Sequence, residues 1–195
     1  MKMAFIAFEG MTSLDLIGFT EAVTWMGILQ AKEKVSWDFC SIQEEITDDR
    51  GLTIRIKHVR PDLAGYDLIF IPGGMSTRQL RHDPEFVSWI RSAHSAQYKV
   101  SVCTGALLLG AAGFLTGRRA TTNRSAYELL APYCGEVVQE RLVRDGGIFT
   151  GGGVSTSIDL GLFLVETLTS PEFALQVQDK MDYPYYRPLR EKDRS

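Results

Sequence analysis

Apolar positions along this chain fall into two alternating periods. Residues 3–8 form a continuous apolar run ended by Glu9 and Gly10, the pattern of a strand buried on both faces. Residues 15–30 switch to a helical period, with Leu16, Phe19, Val23, Met26 and Ile28 on one broad face. Residues 35–42 read as a second strand and 43–50, rich in charge, as a turn region. In 51–57, Leu52, Ile54 and Ile56 alternate with polar neighbours as in a half-exposed strand. Residues 67–71 form a third buried strand, stopped by Pro72-Gly73-Gly74, and Asp83-Pro84 opens a helix to about residue 96 with proline at its first position.

A β-branched run then reaches a cysteine and continues as a leucine and small-residue pattern, KVSVCTGALLLGAAG over residues 99–113. This predicts a strand-to-helix elbow, where the residues two places from the nucleophile must be small; Ser101 and Gly105 flank Cys103 at that spacing. Beyond it, 117–122 read as a link with a short strand and 125–131 as a helix stopped by Pro132. Residues 137–140, 142–144 and 148–150 read as short strands, with a turn at Asp145-Gly146-Gly147. Gly151-Gly152-Gly153 leads to Ser155, read as the N-cap of a helix to about residue 168, and Pro171 opens another. From Asp182 onward proline and charge predict irregular chain, with Tyr183, Tyr185 and Tyr186 folding back on the body or on a partner.

Strands alternating with helices in this order predict an α/β fold with a mostly parallel sheet covered by helices on both faces, a single domain over residues 1–195. A chain of that length buries roughly 70% of its unfolded surface and needs no disulfide or metal to hold it. The net charge of −3, with scattered Lys and Arg, gives no electrostatic case for nucleic acid or an anionic membrane. Cys40, Cys103 and Cys134 lack CxxC or metal-ligand spacing and fit a reducing compartment; Cys40 and Cys134 are assigned to packing. The first apolar run is too short for a signal peptide and no run approaches eighteen residues, so a cytoplasmic protein is expected.

In folds of this class ligands bind beyond the carboxyl ends of the strands. Cys103, the Gly73-Gly74 turn and the loop leading to Asp15 all fall on that edge. At an elbow the sulfur gains exposure and the positive end of a helix dipole, which favours thiolate. The N–H groups of Gly74 and Thr104 could receive charge developing on a substrate, and Gly152, Gly153 and the helix start at Val154 offer a second set. The plainer alternatives are a buried structural cysteine, glycine pairs that only turn the chain, and Asp15 as an N-cap.

The segments DLIFIPGG, SVCTGALLLGAAGFLTGRRATT and TGGGVSTSID, in this order and spacing, resemble the DJ-1/PfpI superfamily, and within it the isocyanide hydratases and the amidase-like domains of some transcription regulators. The resemblance covers about residues 3–168. It implies a flavodoxin-like three-layer sandwich, a homodimer, a small-molecule substrate, and catalysis without cofactor or metal. It further implies Cys103 as nucleophile, Asp15 as its acidic partner, and Thr104 where protease-like relatives carry histidine. Gly73, Gly74, Gly153, Val154 and Asn123 are the expected substrate and oxyanion contacts.

Two departures bear on the substrate. Ile17 and Phe19 replace the threonine and proline common after the acid in the hydratase branch, which predicts a more apolar pocket, and Asn123-Arg124 replaces a His-Trp pair. Of His58, His82 and His94 none follows Cys103, so protease and glyoxalase chemistry rank below isocyanide hydration. Amidase-like activity and a cysteine redox sensor are the remaining alternatives. A 195-residue chain leaves no room for the helix-turn-helix extension that such regulators carry.

Overall fold

The computed structural model describes residues 1–31 and 34–188. In chain order its strands and α-helices are β1 (Lys2–Ile6), α1 (Ser13–Ile28), β2 (Ser36–Ser41), β3 (Glu45–Thr47), β4 (Thr53–Arg55), β5 (His58–Val59), β6 (Leu68–Ile71), α2 (Thr77–Leu80), α3 (Pro84–Arg91), β7 (Tyr98–Val102), α4 (Ala106–Ala111), β8 (Arg119–Ala120), α5 (Tyr127–Leu130), β9 (Glu136–Val137), β10 (Leu142–Asp145), β11 (Ile148–Gly151), α6 (Thr156–Leu168) and α7 (Pro171–Lys180). Seven strands form the central sheet in the order β10-β11-β7-β6-β1-β2-β5, and every pairing except β10 with β11 is parallel.

This order explains the apolar runs. Strands β1 and β6 lie in the middle of the sheet and face helices on both sides, so successive residues are buried irrespective of direction. On one side Phe19 of α1 stacks on Phe70 of β6, with ring centroids 3.8 Å apart; on the other Phe86 of α3 meets Phe8 edge-on at 5.8 Å. Helices α1 and α6 pack with their backbones close, since a Cβ at Gly161 would stand only 2.7 Å from that of Ala22. The result is the flavodoxin-like sandwich expected from the sequence.

The chain enters at the centre, runs outward through β2 to β5, then returns to build β6, β7 and β11 on the other side of β1. Strands β1 and β6 therefore send their following loops in opposite directions, which opens a crevice at their carboxyl ends. The loop to Asp15 leaves β1 there, Gly73 and Gly74 follow β6, and Cys103 follows β7.

Several local expectations change. The stretch read as a turn contains β3, which pairs antiparallel with β4 as a separate hairpin; three paired residues around buried Ile46 suffice where sequence shows only charge. Strand β5 is a two-residue edge strand. The helix expected over 125–131 is a 3-10 turn, a four-residue α5 and a further 3-10 turn, because Pro132 denies it length. Ser155 makes no side-chain cap at α6; instead Thr156 Oγ1 accepts the Gly153 N–H at 3.2 Å. Phe19 lies in the core and Ile17 is 48% exposed, so neither makes the pocket more apolar. In the tail, Tyr186 donates to Glu166 Oε2 at 2.6 Å and Tyr183 to Asp159 Oδ1 at 3.0 Å, while Tyr185 is exposed. Residues 189–195 of the tail expected to be irregular lie outside the described residues.

Candidate active site

At the end of β7 the backbone turns sharply. Cys103 adopts φ +54°, a left-handed conformation that a non-glycine residue occupies at a cost of about 1–2 kcal/mol. The turn passes close under the preceding strand: a Cβ at Gly105 would come within 2.3 Å of the Ile71 carbonyl oxygen, and one at Gly73 within 2.7 Å of Cys103 Cβ. Only glycine fits at either place, which is the physical content of the small-residue spacing around the cysteine.

Three elements close on the sulfur. Asp15, the third residue of α1, is fully buried, and its Oδ2 accepts the Gly73 N–H at 2.8 Å. It is therefore not an N-cap; its other oxygen, Oδ1, has no hydrogen-bond partner in the protein. Thr104 is tied to the Gly turn in both directions, its hydroxyl donating to Gly74 O at 3.0 Å and accepting from Gly74 N–H at 3.1 Å. Thr122 Oγ1 donates to the Cys103 carbonyl at 2.7 Å, which brings the segment after β8 alongside. There Asn123 uses Oδ1 to accept from both Ser125 N–H and Ser125 Oγ, leaving its amide nitrogen as a donor toward the Cys103 sulfur.

The electrostatics differ from the expectation of a thiolate held by a helix tip. Burial pushes the Cys103 thiol up to about 11, the Asp15 charge adds to that rise, and the Thr104 N–H and the Asn123 side chain oppose it. The helix start is weak here, a 3-10 turn leading into a six-residue α4, and Cys103 is only 7% exposed. Burial also raises Asp15 to about 7, against hydrogen bonds from Gly73 and Cys103 that lower it, with the Asp49 charge adding to the rise. The resting state near neutrality is a thiol beside a carboxyl group that gains and loses its proton in the working range.

Of the expected oxyanion donors, four are engaged elsewhere in the protein. Gly74 N–H is taken by Thr104 and Gly73 N–H by Asp15, while Gly152 N–H donates to Arg141 O and Gly153 N–H to Thr156. Val154 is half-buried in the loop after β11, whose last residue pairs with Val102 beside the elbow. Thr104 N–H and the Asn123 amide are the donors that face the sulfur. The small-residue spacing singles out Gly105, which the close approach to Ile71 bears out; sequence reasoning did not find Thr122 as part of the elbow's support, or Ser125 as the group orienting Asn123. Among the described residues no three His, Cys, Asp or Glu side chains stand close enough to share a metal ion, and no helix is long and apolar enough to cross a membrane.

Comparison with known proteins gives a consistent picture. Residues 1–167 match the DJ-1/PfpI family. The chain is 35% identical to an isonitrile hydratase of Pseudomonas putida over 184 residues, covering 94% of this chain and 78% of that protein. It is 29% identical to a Parkinson disease protein 7 homolog of Danio rerio, covering 80% of each chain. Among solved structures, a ThiJ/PfpI family protein from Pseudomonas syringae superposes with a TM-score of 0.83 at 29% identity, covering 97% of this chain and 77% of that one. Drosophila melanogaster DJ-1beta superposes with a TM-score of 0.80 at 18% identity, covering 94% and 98%, a likeness of fold alone.

Proposed function

The chain belongs to the DJ-1/PfpI family, and from that premise we propose that it hydrates isocyanides to N-formamides, with Cys103 as nucleophile and Asp15 as the proton-transfer group. The observation that carries this reading is the buried contact of a thiol raised to about 11 with a carboxyl raised to about 7. A base of that strength is matched to taking a proton at neutral pH and returning it.

Asp15 carboxylate takes the proton of Cys103 as the sulfur attacks the terminal carbon of the isocyanide, forming the C–S bond. The same proton passes from Asp15 to that carbon, which leaves a thioimidate, R–N=CH–S–Cys. Water then adds: its oxygen bonds the carbon, Asp15 takes one of its protons, and the nitrogen receives that proton. Collapse breaks the C–S bond, the sulfur regains a proton from the hydroxyl, and R–NH–CHO departs. The Asn123 amide and Thr104 N–H flank the sulfur throughout and stabilise charge on it.

The Asp15 carboxyl held against the sulfur favours hydration over a peroxide-sensing role, since hydration needs a group that moves protons between sulfur, carbon and water. Leu14 and Ile17, exposed on α1 beside Asp15, support a homodimer through this face, and three free cysteines suit the cytoplasm. The test is formamide production from an alkyl isocyanide by the wild type, Cys103→Ala and Asp15→Asn. Loss of product in both variants is expected; no product from the wild type, or product from Cys103→Ala, removes the reading.

A further inference from the structure

Arg78 of α2 is half-buried, is joined through its contacts to segments that border Cys103, and is not used by the chemistry above. Its guanidinium touches two segments: Nη1 stands 3.3 Å from Met75 Sδ, and Nη2 donates to Ser125 Oγ at 3.4 Å. Met75 directly follows Gly74, the residue locked to Thr104, and Ser125 donates to Asn123 Oδ1 at 2.8 Å, so Ser125 is one step and Met75 two steps from a group bordering the sulfur. Both partners are neutral. Among the described residues neither Arg78 nor the exposed Arg124, which precedes Ser125 in the chain, forms an ion pair with a carboxylate. A guanidinium offers five N–H donors in a planar fork that matches a carboxylate, and two long contacts to a thioether and a hydroxyl leave most of that capacity unused.

We propose that Arg78 recognises a carboxylate on the substrate, so that the preferred class is isocyanides carrying an acid group on the end remote from the isocyano carbon. This rests on the hydratase reading for the identity of the reacting group, and on the position of Arg78 for the charge. The isocyano carbon would reach Cys103 while the acid remains at Arg78.

Two measurements test it. In the first, Cys103 is alkylated with iodoacetate and with iodoacetamide, followed by peptide mass. In both reactions the sulfur displaces iodide, and the reagents are alike in size but differ in charge. The ratio of the iodoacetate rate to the iodoacetamide rate is expected to fall about tenfold in Arg78→Gln. An unchanged ratio overturns the proposal; a common slowing of both reagents assigns Arg78 to holding Ser125 and Asn123 and overturns it equally. In the second, 3-isocyanopropanoate is compared with its methyl ester, and the wild-type preference for the acid in kcat/KM is expected to fall about tenfold in Arg78→Gln, mainly through KM. Failure of the wild type to hydrate either compound would remove the hydratase reading, while the alkylation ratio would still decide the role of Arg78.

Discussion

Gly74 and Thr104 exchange two hydrogen bonds, the amide of one donating to the hydroxyl of the other and that hydroxyl donating back to the carbonyl. The pair fastens the turn after β6 to the elbow after β7, with Thr104 only 3% exposed. Thr104→Val would leave the Gly74 N–H buried without an acceptor and should cost about 1–3 kcal/mol in denaturant unfolding. Thr104→Ser keeps the hydroxyl and should recover most of that loss; equal destabilisation by both would assign the effect to packing.

The proton on Asp15 links stability to pH. Its folded value of about 7 lies above the ordinary 3.8, so between those limits the folded chain holds a proton that the unfolded chain has released. The stabilising contribution of the neutral carboxyl is full below pH 3.8 and is lost as pH rises through about 7. Asp15→Asn keeps an acceptor for Gly73 and removes the buried charge. It should gain about 2–4 kcal/mol over the wild type at pH 8 and little at pH 4, measured by denaturant melts at both. A gain independent of pH would count against the shift.

On the proposed mechanism the same group should set the rate profile. With Asp15 carboxylate as base, kcat/KM for an isocyanide should rise with pH and level off above about 7. A fall beginning near that pH would instead assign the reactive form to the protonated acid.

Asn123 should act on the sulfur alone. Asn123→Ala removes a donor that holds the thiol down, so the pH midpoint for iodoacetamide alkylation of Cys103 should move upward and kcat/KM should fall about tenfold or more. An unshifted midpoint would place the amide elsewhere than on sulfur.

The left-handed backbone at Cys103 can be weighed directly. Cys103→Gly should be about 1 kcal/mol more stable than Cys103→Ala, because glycine has no Cβ to meet the next carbonyl at φ +54°. Equal stability would mean that the turn relaxes once the sulfur is gone.

The sequence made the architecture and the elbow legible for identifiable reasons. Buried central strands leave uninterrupted apolar runs, as at residues 68–71, and an elbow demands small neighbours, as at Gly105. Strand β4 was legible from the alternation in residues 51–57, but its partner β3 was not, because three paired residues in a charged, largely exposed stretch leave little pattern. At the site, the position of Asp15 followed from its place after β1, but the partners of each N–H did not: that Gly74 donates to Thr104 and Gly153 to Thr156 depends on side-chain rotamers that spacing does not encode. The balance between burial and helix dipole at Cys103 is likewise a question of depth, and sequence carries no measure of depth.

The central sheet ends in a two-residue strand at His58–Val59 on one side and in β10, which bears exposed Arg144, on the other. Few open amide and carbonyl groups are therefore offered for another chain to pair with, and a charged side chain guards the longer border. A folded chain with open sheet borders needs resistance to filament growth whatever its site does. Here the outermost strands supply that resistance without drawing on any residue near the sulfur.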